Sequence, residues 1–256
     1  MNYKKIISLV KEAGKLAKDR DLLSQVSNKT DSDFVTAVDL SISDFLKKNL
    51  AEITPDIGFM SEEEECEIQP VRWILDPIDG TTNLLYGYNM SSVSLGLCDN
   101  NNIMFGVVYN PFTKEIFTAV RGKGAYRNGK KMGKIADRDL KACLVEFGAG
   151  VSQKKYTEEN FALAKEVFKN CLDVRRVCST ALTLCYIADG RLNGYFERVL
   201  KPWDSAAGSL VLEECGGVNM NWDGKPIDFS GVSTYIAGSP KCAAFLLETV
   251  NKFKKQ

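Results

Sequence analysis

Apolar residues near the start of the chain fall at Ile6, Ile7, Val10, Ala13, Leu16 and Ala17, with lysines between them. That three-to-four spacing places one apolar face on a helix. The pattern predicts a helix over about 3–26 and a second over 38–50, the latter carrying Leu40, Ile42, Phe45, Leu46 and Leu50. Beyond them the period changes to two. Val93, Leu95 and Leu97 alternate within 92–97, and strand-like stretches at 103–109, 115–120 and 124–127 follow at short intervals. Asn110-Pro111 and Asn128-Gly129 punctuate them as turns, so this region predicts an antiparallel meander covered by helices. From about Leu140 strand and helix patterns alternate. Strands are expected at 143–147, 174–177, 194–197 and 235–237, and helices at 158–169, 180–188, 205–215 and 243–254.

An α+β half over 1–138 followed by an α/β half over 139–256 is the simplest architecture for this order. No repeat, low-complexity tract or long linker separates the halves, so they are expected to pack as one body. A chain of 256 residues with 45% hydrophobic content can bury a sizeable core. Its 33 basic and 33 acidic residues balance, which gives no general attraction to nucleic acid or anionic membrane. The lysines interspersed through the first twenty residues are unlike a signal peptide, and no apolar run is long enough to span a bilayer. Eight cysteines form no Cys-x-x-Cys pair and sit mostly in apolar runs, which predicts reduced thiols packed as small hydrophobes in a cytoplasmic protein. Histidine is absent altogether. Catalysis by this chain therefore has to use carboxylates, hydroxyls, thiols, lysines or metal ions.

One stretch concentrates such groups. The apolar run Trp73-Ile74-Leu75 delivers Asp76-Pro77-Ile78-Asp79-Gly80-Thr81-Thr82-Asn83, in which Asp76 is expected where a strand leaves its sheet and Asp79 one turn later. Gly80 lets backbone approach a ligand, and Thr81, Thr82 and Asn83 are residue types that start helices, whose free N–H groups attract anions. Hard oxygen ligands without sulfur or imidazole suit Mg²⁺. A capped, Pro-containing turn is the plain structural alternative. Ser61-Glu62-Glu63-Glu64-Glu65 lies about fourteen residues upstream; it reads either as a solvated loop or, at the end of a short strand beside Asp76, as the source of another ligand in Glu62. Asp39 precedes the second helix as a candidate cap. Downstream, Lys201-Pro202-Trp203-Asp204-Ser205-Ala206-Ala207-Gly208 opens a helix that Gly216-Gly217 closes, with Asp204 as its candidate cap and small residues that permit close packing.

The octet, together with Trp203-Asp204-x-Ala206-Ala207-Gly208 and Gly216-Gly217, resembles the paired signatures of the inositol monophosphatase family of Mg²⁺-dependent, lithium-sensitive phosphatases. With Asp33 to Asp39 and Glu62-Glu63 in support, the resemblance spans nearly the whole chain. It implies a five-layer αβαβα sandwich of the inositol monophosphatase and fructose 1,6-bisphosphatase type, a homodimer, and a site between the halves. By resemblance, Glu62, Asp76 and the Ile78 carbonyl hold one Mg²⁺, Asp76, Asp79 and Asp204 hold a second, and a third ion binds weakly near Glu62. Thr81 with Asp39 would orient the attacking water, and the Gly80 and Thr81 N–H groups would hold the phosphate. Glu197 matches the carboxylate that accepts hydroxyls of a polyol or sugar phosphate. Asp79, Asp204 and Thr180 are expected beside that substrate, whose leaving group Thr180 would approach. Two ions about 4 Å apart can acidify a water and stabilise a leaving alkoxide without histidine.

Several positions depart from the family pattern. Leu84-Leu85-Tyr86 stands where Phe-x-His is usual, Cys178 where Gly is common, and Asn193 where Asp is common. None is an expected metal ligand, so they bear on substrate rather than reaction. The leading expectation is hydrolysis of inositol monophosphate. Fructose 1,6-bisphosphate is an alternative, with Arg175, Arg176, Arg198 and Lys201 as cations for a second phosphate. Histidinol phosphate, NADP, and a binding protein without turnover are further alternatives. Three other motifs are decoys: Cys185 to Arg191 has thiol-phosphatase spacing but a helical pattern, Asp31-Ser32-Asp33 lacks a preceding buried strand, and Gly124 to Lys131 is better explained as a hairpin.

Overall fold

In a computed structural model, which describes residues 1–30, 33–64 and 67–254, the chain builds helices and sheets in alternating layers. The first predicted helix is broken. Helix α1 (Tyr3–Ala13) buries Ile6, Val10 and Ala13, a 3-10 turn covers Leu16–Lys18, and α2 (Arg20–Leu23) restarts because the Asp19 carboxylate accepts the Asp21 and Leu22 N–H groups. Strands β1 (Val26–Thr30) and β2 (Asp33–Thr36) then pair antiparallel. Asp31 and Ser32, the start of one decoy, and Glu65 and Cys66 lie outside the described residues. Helix α3 (Ala37–Ile53) follows.

The meander forms a seven-stranded sheet from β3 (Gly58–Ser61), β4 (Val71–Asp79), β5 (Ser92–Asp99), β6 (Asn102–Asn110), β7 (Glu115–Val120), β8 (Gly124–Arg127) and β9 (Lys130–Lys131), in that spatial order. Only the β3–β4 pair is parallel, and the short helix α4 (Thr81–Leu85) sits between β4 and β5. The second half begins with β10 (Leu144–Phe147), α5 (Thr157–Asn170), β11 (Asp173–Arg175), α6 (Thr180–Ala188) and β12 (Gly194–Leu200). It ends with α7 (Pro202–Glu214), β13 (Val218–Met220), β14 (Ser233–Gly238) and α8 (Pro240–Phe253). Its five strands are ordered β11-β10-β12-β14-β13, parallel among the first three and antiparallel across the last.

Alternation along the strands decides the layering. On β4, Trp73 and Leu75 face α1 and α3, while Ile74 faces α6 and α7. On β12 and β14, Tyr195, Tyr235 and Ala237 face α6 and α7 from the other side, while Phe196 and Ile236 pack under α5 and α8. The result is a five-layer αβαβα sandwich whose middle layer, α6 and α7, is covered by a sheet on each face. Both helices are therefore apolar nearly all round. Small residues set the spacing: a Cβ on Gly106 of β6 would lie 2.6 Å from the Ala207 carbonyl oxygen, and one on Gly208 would lie 2.9 Å from Leu184 Cβ. This is why the Ala206-Ala207-Gly208 segment suits α7.

Among the described residues no helix is long and apolar enough to cross a membrane. Seven described cysteines are free, and all but Cys178 are buried. Cys185 lies fully buried within α6, where no phosphate-binding loop can form.

Candidate active site

The octet does not leave its sheet at Asp76. Pairing is regular to Asp76 opposite Ser94, slips through Pro77 and Ile78, and resumes with Asp79 opposite Ser92. This bulge re-aims the two carboxylates. Gly80 follows with φ +89°, a left-handed conformation that favours glycine, and any Cβ there would meet the Met90 and Cys178 carbonyls at 3.0 and 3.1 Å. Thr81 opens the five-residue α4. Asn83 acts as a stitch rather than a helix starter: its Nδ2 donates to the Met90 and Val177 carbonyls, both at 2.8 Å, tying the octet to the second half of the chain.

Asp76 is almost fully buried, and its Oδ1 has no hydrogen-bond partner. Burial pushes its carboxyl well above the usual carboxylate range, and Glu62, Asp79, Asp204 and Asp39 push it further in that order. Asp204 is raised as well, by burial and then by Asp79 and Glu62. Five carboxylates from β3–β4, α3 and α7 thus share one electrostatic neighbourhood. Among the described residues no three acidic or thiol side chains already close on a single point as a cage. Mg²⁺ does not require one, since it keeps several waters and takes only one or two carboxylates alongside substrate oxygens. A buried carboxylate oxygen without a donor, surrounded by like charges, fits a cation.

Each remaining candidate has a definite place. Asp39 is not the cap of α3: Thr36 is, and Asp39 completes a capping box by accepting the Thr36 N–H at 2.8 Å and its hydroxyl at 2.6 Å through Oδ2. Its Oδ1 lies 3.5 Å from the Thr81 hydroxyl, which also stands 3.0 Å from the Ile78 carbonyl. A single proton serves both acceptors. Asp204 likewise occupies the third position of α7 instead of its cap, where Oδ2 accepts the Lys201 N–H at 2.8 Å. The backbone N–H of Glu62 donates to the Leu75 carbonyl at 3.2 Å, which fixes Glu62 beside the octet.

Asp79 points at the start of α6. Its carboxylate accepts the Ser179 hydroxyl at 2.6 Å, the Ala181 N–H at 2.7 Å and the Thr180 N–H at 3.2 Å. Burial raises it, and these donors pull the other way. Glu197 is buried and bonded on both oxygens, by Gln153 Nε2 at 2.6 Å and by the Tyr195 hydroxyl, which in turn lies 3.0 Å from the Thr180 hydroxyl. Any substrate hydroxyl would have to share those oxygens.

Sequence reading missed Ser179, Gln153, Tyr195 and above all Glu146. Glu146 is 2% exposed and accepts the Val177 N–H at 2.7 Å, the Cys178 N–H at 3.2 Å and the Thr183 hydroxyl at 2.7 Å. A lone acid in the apolar run Leu144-Val145-Glu146-Phe147 was the available signal.

The profile of the inositol monophosphatase family matches residues 3–255. "Nus factor SuhB" of Pasteurella multocida (strain Pm70) is 34% identical over 236 residues, covering 90% of this chain and 86% of that protein. A crystal structure of the extragenic suppressor protein suhB from Bartonella henselae superimposes with TM-score 0.88 at 32% identity, covering 96% of this chain and 97% of that one. A structure described as an IMPase/NADP phosphatase complexed with Mg²⁺ and phosphate gives TM-score 0.86 at 26% identity, covering 97% and 94%.

Proposed function

The chain belongs to the inositol monophosphatase family, and from that premise we propose that it hydrolyses a small phosphate monoester, inositol monophosphate first among them, in a Mg²⁺-dependent reaction. The observation that carries this reading is Asp76 Oδ1, buried without a donor amid Glu62, Asp79, Asp204 and Asp39. Glu62, Asp76, Asp79, Asp204 and the Ile78 carbonyl would hold two to three Mg²⁺ ions, which supply acidification of a water and charge stabilisation of the leaving oxygen. The relative bound to Mg²⁺ and phosphate supports that choice of ion.

The protein's own groups have distinct tasks in this reading. Thr81, between the Ile78 carbonyl and Asp39 Oδ1, would orient the attacking water through its hydroxyl. Gly80 and Thr81 would present backbone N–H groups to the phosphate. Thr180 and Glu197, joined through Tyr195, would line the leaving-group side. The site is expected in a homodimer.

Phosphate release from inositol 1-phosphate, fructose 1,6-bisphosphate, histidinol phosphate and NADP, each with and without Mg²⁺, tests the proposal. Mg²⁺-dependent release from inositol 1-phosphate is expected, and release from none of them would sink it. A second reading is favoured by the relatives' name, Nus factor SuhB: a role of that kind, independent of turnover. Silence across the whole panel, from a folded protein, would leave it as the remaining reading.

A further inference from the structure

The junction between β11 and α6, residues 177–183, is gripped by two buried carboxylates from opposite halves of the chain. From the seven-stranded sheet, Asp79 accepts the Ser179 hydroxyl and the Thr180 and Ala181 N–H groups. From the five-stranded sheet, Glu146 accepts the Val177 and Cys178 N–H groups on Oε1 and the Thr183 hydroxyl on Oε2. The carbonyls of the same two residues are also engaged, since Asn83 Nδ2 reaches Val177 at 2.8 Å and Cys178 at 3.5 Å. Cys178 adopts φ +59°, a left-handed conformation that a thiol-bearing residue holds only when its surroundings impose it.

Glu146 stands opposite Tyr195 in the β10–β12 register, and both side chains face α6. Tyr195 carries the Thr180 hydroxyl, so a short polar ladder on an otherwise apolar sheet face meets the first turn of α6. Glu146 and Tyr195 are each 2% exposed, so their side chains are shielded from solvent. A polar group of this kind has to be satisfied internally, and it fixes geometry as a consequence.

We propose that Glu146 is a positioning residue for the candidate metal site: it clamps the backbone entering α6, and that first turn in turn aims Asp79. The inference rests on the reading of Asp79 as an ion ligand. Glu146 touches neither an expected ligand nor an expected substrate position. Direct partners of a metal ligand typically change metal affinity by about 10–100-fold when lost, and Glu146 stands one step behind such partners, so the lower end of that range applies.

Glu146→Met keeps the length of the side chain and removes both acceptors. Glu146→Gln keeps one acceptor for Val177 and Cys178 and offers an N–H to the Thr183 oxygen. Mn²⁺, a hard octahedral ion, serves as the probe, and electron paramagnetic resonance of the free ion gives affinity without turnover. Glu146→Met is expected to weaken Mn²⁺ binding about tenfold or more in folded protein and to lower kcat in parallel, with Glu146→Gln within about threefold of wild type. Wild-type Mn²⁺ affinity in folded Glu146→Met would overturn the proposal, as would equal impairment of Glu146→Gln. If Glu146→Met does not fold, Thr183→Val removes one arm of the clamp, and its Mn²⁺ affinity decides: weakening supports the proposal, no change overturns it. A wild-type protein that binds no Mn²⁺ would instead fail the metal reading itself, and this inference with it.

Discussion

Replacing Asp76 by asparagine separates what the octet does for stability from what it does for ion binding. The change removes one charge at nearly constant size. In the ion-free fold, burial, Glu62, Asp79, Asp204 and Asp39 all hold the Asp76 carboxyl above its unfolded value. A carboxyl raised in the folded state favours folding below its unfolded pKa, and that advantage is lost as pH rises toward the folded pKa. Asparagine has no such slope, so the ion-free melting temperature of Asp76→Asn at pH 8 is expected at or above wild type. Mg²⁺ is expected to reverse the ranking. An ion at a hundred times its Kd stabilises the wild type by about 2.7 kcal/mol. At roughly 2–4 °C per kcal/mol for a chain of this size, its melting temperature rises by about 5–10 °C. The variant should lose most of that rise, and phosphate release should fall by at least about a hundredfold. Calorimetric melting at pH 6 and pH 8, with and without Mg²⁺, reads both effects. A variant that keeps the Mg²⁺ shift, or that melts well below wild type without the ion, would refute the assignment of Asp76.

Three further outcomes are expected. Thr81→Ala should lower kcat by about 10²–10⁴-fold while Thr81→Ser retains most of it, because the hydroxyl between the Ile78 carbonyl and Asp39 is the group at stake; steady-state kinetics would expose equal loss in both variants. Glu146 has its carboxyl pushed from 4.5 up to about 7, chiefly by burial, so its charge penalises the fold increasingly from pH 4.5 to 7. Glu146→Gln should therefore add up to roughly 3 kcal/mol at pH 8 and little at pH 4; a pH-independent effect in urea unfolding would contradict this. Gly106→Ala would press a methyl against α7 backbone 2.6 Å away and should cost about 1–3 kcal/mol while displacing the helix that carries Asp204; wild-type stability in the alanine variant would count against the tight spacing.

The alternation of apolar residues was sufficient to predict most strands of the two larger sheets and most helices, since which face a side chain takes is fixed by the strand period, but not the β1–β2 pair or β13. It was insufficient for the first helix, where local competition from the Asp19 carboxylate restarts the chain. Asp39 and Asp204 show a related gap: each was readable as the cap of its helix, yet each is that helix's third residue, with one oxygen in capping contacts. Helix boundaries turn on such single hydrogen bonds, which periodicity does not encode.

For the site, the sequence by itself determined the acidic residue types, their order and the absence of histidine, and hence the class of ion and chemistry they suit. Only the tertiary structure decided that Glu62, Asp76, Asp79, Asp204 and Asp39 share one electrostatic neighbourhood, that Asp79 is tied to the start of α6, and that Glu146 stands behind that helix. The reason is physical. Residue type and local spacing fix which atoms can accept, donate or ligate, whereas the field at a carboxylate and the partner of a buried donor depend on groups a hundred residues away along the chain. Those are set by how closely the two sheets close on α6 and α7.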